Sequence, residues 1–234
     1  MNLGRVDGRP LVIGHRGAAA VAPENTRESF LAAVAAGVDA VEFDISPGLK
    51  IGHSETELPA ETMTLDELLE ELRPHDVWLH LDVKLPGYEA EVVTAVRRHD
   101  VGERAYVSTS FALTGRRIAA LAPELTVAIG YPRDRLGVGK LGWPTSLSRA
   151  GAATLRQAMP ARIPVLLRWA RAGALSLHHT LCSRAAVATA HRLGAPVLAW
   201  TANDEAAVRR LVAAGVDGIV SDDPEMTLAT LLAQ

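Results

Sequence analysis

Eight short apolar segments recur along the chain, and most of them are separated by stretches with helical periodicity. The candidate strands lie at 11–15, 40–45, 77–84, 105–110, 126–131, 174–178, 196–202 and 217–222. Strands that alternate with helices predict a parallel sheet, because a crossover between parallel strands needs a helix-length connection. The 234 residues suit closure of this sheet into a (βα)8 TIM barrel of the α/β class, a single domain over 1–234. An open doubly wound sheet is the alternative, although its glycine-rich dinucleotide fingerprint is missing.

Helical patterns fill the connections between the candidate strands. They are predicted at 26–36, 64–73, 88–99, 113–121, 183–193, 204–214 and 224–233. The longest connection, 132–173, is predicted to hold one or two helices, at 147–158 and 163–171. Its apolar and basic segment 163–175 predicts an outer barrel helix, with a surface that touches lipid as the alternative.

An internal similarity supports the barrel. AAGVDAVEFD (35–44) and AAGVDGIVSD (213–222) share a helix end, a glycine turn, an aspartate and a strand. Such a repeated half-unit is typical of a βα barrel, and it carries no information about chemistry.

Charge and cysteine content exclude several classes of protein. A formal net charge of −3 gives no general attraction to nucleic acid. The single cysteine, Cys182, excludes an intramolecular disulfide and a multi-thiolate metal site, and we expect a structural rather than a catalytic thiol.

No apolar run predicts a membrane span, and the N-terminus lacks the apolar core of a signal peptide, so a cytoplasmic protein is expected. The sequence indicates no oligomeric state.

Acidic residues stand near the ends of two candidate strands. Side chains alternate along a strand, so Glu42 and Asp44 share one face of the second. Asp82 and Lys84 share a face of the third, and the carboxyl ends of barrel strands converge on one rim. Three carboxylates without thiolates predict a hard divalent cation, Mg²⁺ or Ca²⁺, more than zinc. The alternative is that each acid pairs with a base such as Lys84 or Arg16.

Two histidines differ from the rest. His15 stands beside Arg16 between two glycines at a strand end, and His53 follows Asp44 by nine residues. Such a pair suits a general acid and a general base. Arg16 and Lys84 add the positive charge that a phosphate ester needs. A structural or surface role is expected for His75, His80, His99, His178, His179 and His191, although His80 shares the face of Asp82.

Several motifs in this order resemble the glycerophosphodiester phosphodiesterase family. They are GHRG (14–17), PENT (23–26), GVDAVEFD (37–44), the Asp82-x-Lys84 strand, TSF (109–111), WTAND (200–204) and GVDGIVSDDP (215–224). The similarity extends from about residue 11 to residue 224. It implies a (βα)8 barrel that hydrolyses glycerophosphodiesters to an alcohol and sn-glycerol 3-phosphate.

The resemblance also implies roles for individual residues. His15 and His53 would be the acid and base, and one divalent cation, Ca²⁺ or Mg²⁺, would bind at Glu42, Asp44 and Asp82. Arg16 and Lys84 would contact the phosphate. Trp200 would form an apolar wall beside the glycerol, and Glu24 and Asn25 would support the first histidine or the metal.

The chain departs from the family pattern in three places. Asp82 stands where the family usually has glutamate, so its carboxylate is set back by one methylene. The loop after the second strand is shortened to SPGLKIGHS, and Ser54 replaces the usual acid. The usual insertion after the second strand is missing, because only about two dozen residues separate His53 from Asp82. We therefore expect a more open cleft.

Three other functions remain open at this point. A lysophospholipase D-like enzyme acting on lysophospholipids would use the open cleft and the segment 163–175. A non-catalytic barrel that binds phosphodiesters would not need two histidines. A metal-free barrel for sugar phosphates would leave the three acids unexplained.

Overall fold

The computed structural model describes residues 3–53, 58, 61–133 and 145–233, so Ser54 lies outside the described residues. Nine strands occur within these ranges. They are β1 (Leu11–Gly14), β2 (Ala40–Ser46), β3 (Lys50–Ile51), β4 (Trp78–Val83), β5 (Ala105–Thr109), β6 (Thr126–Tyr131), β7 (Ala174–His178), β8 (Val197–Trp200) and β9 (Gly218–Ser221). All eight strands predicted from the sequence are present, and β3 is the addition.

The sheet is closed. Its order is β1-β9-β8-β7-β6-β5-β4-β2-β3, and β1 also pairs with β2. The eight strands other than β3 are parallel, and Ile13 is the register partner of Val220 on one side and of Ala40 on the other. The prediction of a single-domain TIM barrel is therefore confirmed, and the open doubly wound alternative is wrong.

The two similar segments lie on either side of β1 and use their aspartates in the same way. Oδ2 of Asp39 accepts a hydrogen bond from the backbone N–H of Val12 at 2.7 Å. Oδ2 of Asp217 accepts one from the N–H of Val197, also at 2.7 Å. Each carboxylate thus pairs with a backbone donor at the start of a neighbouring strand, a donor that would be costly to leave unpaired.

Eight helices are described around the barrel. They are α1 (Arg27–Ala35), α2 (Leu65–Leu72), α3 (Glu89–Arg98), α4 (Ala112–Leu121), α5 (Thr145–Ala170), α6 (Arg184–Arg192), α7 (Glu205–Ala214) and α8 (Pro224–Leu232). Thr26 and Thr64 form capping boxes at the starts of α1 and α2. Glu67 completes the second box, as the sequence predicts, whereas Ser29 completes the first.

The long connection contains one continuous helix, α5, where the sequence indicates one or two. Pro160 and Pro164 lie inside it, although a proline removes a backbone hydrogen bond. Buried Met159, Ile163 and Leu167 hold this face of α5 against the barrel. The outer-helix prediction is confirmed, while contact with lipid is untested. Among the described residues, no helix has the length and apolar character to cross a membrane.

Alternate strand residues point into the barrel and form layers. The lower layer is apolar and includes Leu11, Ala40 and Tyr106. Two or four positions farther along the same strands come the polar residues near the carboxyl ends. The inward row of β2 therefore runs from Ala40 through Glu42 to Asp44, which positions the site at the carboxyl rim.

Candidate active site

The three acidic residues meet at the rim. Asp44 and Asp82 are register partners on neighbouring strands β2 and β4. One carboxylate oxygen from each of Glu42, Asp44 and Asp82 lies within 4.8 Å of the other two. Asp82 thus joins Glu42 and Asp44 across at least 38 residues of sequence, because β4 rather than β3 is the parallel neighbour of β2.

The buried carboxylates influence each other. Burial and the adjacent charge of Asp44 raise the pKa of Glu42 to about 7. Burial opposes ionisation of Asp44 as well, but Lys84, His53 and Arg16 hold the pKa of Asp44 well below its usual range. Within the cluster, Asp44 is therefore firmly ionised, whereas Glu42 readily keeps a proton. This difference indicates that the negative charge of the cluster is not fully compensated.

Lys84 lies between two of the carboxylates. Its Nζ is 2.5 Å from Oδ1 of Asp44 and also contacts Oδ2 of Asp82. Burial would lower the pKa of Lys84, but the charges of Asp82 and Asp44 raise it above its usual value. The sequence left open that each acid pairs with a base instead of binding a cation. Asp44 and Asp82 do pair with Lys84, and they also belong to the acidic cluster.

Arg16 adopts a left-handed backbone conformation, with φ of 50°. Its backbone N–H donates to Oε2 of Glu42 at 2.7 Å, while Nε of its guanidinium lies 3.0 Å from Oδ2 of Asp44. The same guanidinium donates to Glu24 at 2.6 Å. Arg16 therefore connects the first loop to both acids of β2, and Glu24 contacts Arg16 rather than the first histidine.

Asn25 also contacts an acid of the cluster. Its amide Nδ2 donates to Oδ2 of Asp44 at 3.1 Å, and its Oδ1 accepts from the Asp44 backbone N–H at 3.1 Å. This two-point contact fixes the first loop against the end of β2.

His53 reaches the cluster because the chain turns back after β2. Residues Pro47–Leu49 form a short 3-10 turn, and β3 then runs antiparallel to β2. Nδ1 of His53 lies 3.2 Å from Oδ2 of Asp44 and 3.1 Å from the Arg16 guanidinium. The imidazole is about half exposed, at 52%. The shortened loop thus still delivers a histidine to the acids.

His15 has a partner that sequence reasoning missed. Its Nδ1 lies 2.5 Å from Oδ1 of Asp222, whose Oδ2 contacts the amide of Asn203. Burial lowers the pKa of His15, but the hydrogen bond to Asp222 and the charge of Glu42 raise it overall. Asp222 follows β9 directly, and the predicted adjacency of the first and last strands was a signal that could have found it.

Trp200 ends β8 and is half-buried at the rim. The ring of His178 lies perpendicular to it, with centroids 5.2 Å apart and an angle of 86° between the planes. Burial, aided by His179, lowers the pKa of His178 to about 4, so this imidazole is neutral. His178, expected to be structural, therefore belongs to the rim beside Trp200.

Other histidines contact structural acids. Nε2 of His99 lies 2.8 Å from Asp66, and Nε2 of His191 lies 2.7 Å from Asp217. Cys182 is buried in the apolar core, and burial raises the pKa of its thiol to about 12. These residues lie outside the candidate site, as the sequence predicts for them.

The closed barrel and its acid-rich carboxyl rim define a TIM-barrel enzyme. The model of the glycerophosphoryl diester phosphodiesterase family matches residues 15–46 and 145–226. The resemblance predicted from the sequence is thus confirmed, and the chain is a phosphoric diester hydrolase. The matched segments contain His15, Glu42, Asp44 and Trp200, whereas Asp82 and the other residues of 47–144 lie outside them.

Individual relatives agree over nearly the whole chain. A glycerophosphodiester phosphodiesterase of Caldanaerobacter subterraneus subsp. tengcongensis is 25% identical, with 96% of this chain and 98% of the relative covered. The structure of a Parabacteroides distasonis glycerophosphodiester phosphodiesterase has a TM-score of 0.76 at 17% identity, covering 96% and 97% of the two chains. An Oleispira antarctica phosphodiesterase, solved with the product sn-glycerol-3-phosphate, has a TM-score of 0.71 at 22% identity, covering 94% and 96%.

Proposed function

We propose that this protein uses one divalent cation and two histidines to hydrolyse glycerophosphodiesters to an alcohol and sn-glycerol 3-phosphate. The observation that carries the proposal is the meeting of three carboxylates within 4.8 Å, with His53 3.2 Å from Asp44 and with His15 directly before Arg16, whose backbone N–H bonds to Glu42. The product bound to the Oleispira antarctica relative supports the choice of glycerol phosphate as the product.

The donor set fits a cation such as Mg²⁺ or Ca²⁺. Glu42, Asp44 and Asp82 offer hard oxygen ligands, and the raised pKa of Glu42 marks negative charge that a cation would relieve. When bound there, the cation would neutralise charge on the phosphate oxygens.

Arg16 and Lys84 would hold the phosphate. The positively charged side chains of Arg16 and Lys84 both contact Asp44, so they are already oriented at the rim before substrate arrives. A phosphate that replaces part of these contacts would gain charge-assisted hydrogen bonds from prearranged donors.

His15 is the proposed general acid. Its raised pKa favours the protonated ring, and the Nδ1–H bond to Asp222 leaves Nε2–H to protonate the leaving alkoxide. His53 is the proposed general base. When the Arg16 guanidinium turns from Nδ1 of His53 to the phosphate, Nδ1–H can donate to Asp44, and the Nε2 lone pair would accept the proton of the attacking water or glycerol 2-hydroxyl.

Trp200 would form the wall beside the glycerol. It is half-buried, and the neutral His178 ring lies perpendicular to it, so the partly exposed indole would offer apolar surface to the glycerol. Only eleven residues separate His53 from α2, so the chain lacks a long insertion there, which makes lysophospholipids the alternative substrate class.

A substrate screen tests the proposal. Purified protein is incubated with glycerophosphocholine, glycerophosphoethanolamine and lysophosphatidylcholine, with EDTA, Mg²⁺ or Ca²⁺, and glycerol 3-phosphate and lysophosphatidate are measured. We expect glycerol 3-phosphate from the first two substrates only when a divalent cation is present. Faster release of lysophosphatidate would favour the lysophospholipase D-like function, and cation binding without hydrolysis would favour a non-catalytic barrel.

A further inference from the structure

A chain of buried polar side chains lies behind Asp82, outside the groups used in the proposed mechanism. Oγ of Ser108 donates to Oδ1 of Asp82 at 2.6 Å, and Nε2 of His80 lies 2.8 Å from the same Oγ. Asp82 and Ser108 are register partners across β4 and β5. His80 precedes Asp82 by two positions and therefore shares its inward face.

The hydrogen atoms in the bonds that link Asp82, Ser108 and His80 have one consistent arrangement. The hydroxyl of Ser108 has a single hydrogen, and it is donated to Asp82. Oγ of Ser108 must then accept from Nε2–H of His80. An imidazole with its hydrogen on Nε2 leaves Nδ1 as an acceptor that needs no bond of its own to keep this arrangement. Within the described part of the chain, Nδ1 of His80 indeed has no hydrogen-bond partner.

Ring stacking holds His80, the residue of this hydrogen-bonded series that is farthest from Asp82. The imidazole of His80 lies on the ring of Tyr106, with centroids 4.4 Å apart and an angle of 26° between the planes. Both rings are buried inside the barrel. This packing holds Nε2 of His80 near Ser108 without using another polar contact.

Asp82 needs such support more than Asp44 does. The Asp82 side chain is 23% exposed, whereas that of Asp44 is fully buried. Lys84 contacts Oδ2 of Asp82 and Ser108 holds Oδ1, so the two bonds fix the plane of the carboxylate. If Lys84 moved to a phosphate, the Ser108 bond would become the main restraint on Asp82.

We propose that Ser108 and His80 are positioning residues, which fix the carboxylate of Asp82 for the divalent cation. Ser108 acts directly on Asp82, and His80 acts through Ser108 by fixing the direction of its hydroxyl hydrogen. This inference rests on the proposed function, because it assumes that a cation binds the three carboxylates.

Calorimetric titration of the full chain with Ca²⁺ and Mg²⁺ tests the inference without an activity measurement. We expect Ser108→Ala to weaken cation binding by roughly 10–100-fold, the effect typical of removing a hydrogen bond to a metal ligand. Ser108→Thr keeps the hydroxyl and should restore most of the affinity. His80→Phe keeps a ring against Tyr106 but removes the N–H, and should cause a smaller loss than Ser108→Ala.

Ser176→Ala is the matched control. Ser176 is a buried serine at a position of β7 that points into the barrel, and it is paired with Gly130 and Leu198 rather than with Asp82. We expect its cation affinity to equal that of the unaltered protein. The free energy of unfolding without cation is measured for each variant.

The outcomes separate the inference from the proposed function. A purely structural role would lower the cation-free stability of Ser108→Ala and leave its cation affinity unchanged, which would overturn the inference alone. If the unaltered protein binds neither Ca²⁺ nor Mg²⁺, the proposed function fails and the inference fails with it. An equal loss in Ser176→Ala would also overturn the inference, because the effect would then not depend on Asp82.

Discussion

Nδ1 of His15 lies 2.5 Å from Oδ1 of Asp222, although the two residues are 207 positions apart. They meet because β9 pairs with β1 when the barrel closes. Asp222 is itself held by Asn203, whose Oδ1 accepts from the Asp222 backbone N–H at 3.0 Å. The residue after the last strand therefore orients the histidine that follows the first.

Asp222→Asn should shift the pH dependence of hydrolysis. The hydrogen bond to Asp222 helps to raise the pKa of His15, so its loss should lower that pKa. A general acid acts only while protonated, and its activity is lost as pH rises through its pKa. We therefore expect the alkaline limb of the kcat/KM profile to move to lower pH.

Asp223→Asn is the control for that measurement. It makes the same change of charge one residue away, and its side chain bonds to Met226 N–H rather than to His15. Asparagine remains a good helix N-cap, so α8 should be preserved. Equal profiles for both aspartate variants would argue that Asp222 does not act on His15.

Leaving-group chemistry should distinguish the two histidines. His15→Ala and His53→Ala should each lower kcat on glycerophosphocholine by at least about 10², within the usual range for proton transfer. On a p-nitrophenyl phosphodiester of glycerol, the leaving group needs no proton, so His15→Ala should recover activity whereas His53→Ala should not. Circular dichroism checks that both variants fold. Recovery in His53→Ala alone would reverse the assigned roles.

Cation affinity should depend on the proton of Glu42. Its pKa is raised from the usual value of 4.5 to about 7, so below pH 7 the protonated form predominates in the folded protein. A cation must displace that proton, so affinity should fall by about tenfold per pH unit below pH 7 and level off above it. Calorimetry between pH 5.5 and 8.5 measures this slope. A flat profile would contradict a cation bound to Glu42.

Gly17 should tolerate alanine much less well than Gly37. Both have left-handed φ values, +88° and +82°. A Cβ on Gly17 would lie 2.4 Å from the backbone carbon of Ser29, whereas a Cβ on Gly37 would have open space. We expect losses of stability of roughly 3–5 kcal/mol for Gly17→Ala and about 1–2 kcal/mol for Gly37→Ala. Chemical denaturation compares them, and equal losses would contradict the clash.

Much of the fold follows from local sequence. The apolar strands and helical periods predict the eight barrel strands, and capping at Thr64 and the glycine after α1 mark helix ends correctly. For the long connection the sequence left one or two helices open, and burial of Met159 and Ile163 along one face keeps α5 continuous through Pro160 and Pro164. The antiparallel β3 has only two residues, too few for a periodic signal.

The sequence by itself determined the residue types of the site and the alternation that directs Glu42 and Asp44 to one face, because a strand's period of two is a local property. Tertiary structure alone decided which residues touch. Only barrel closure joins His15 to Asp222, and only the register of β4 and β5 puts Ser108 against Asp82. Such contacts depend on strand pairing between distant segments, and the pattern within a single segment does not contain that information.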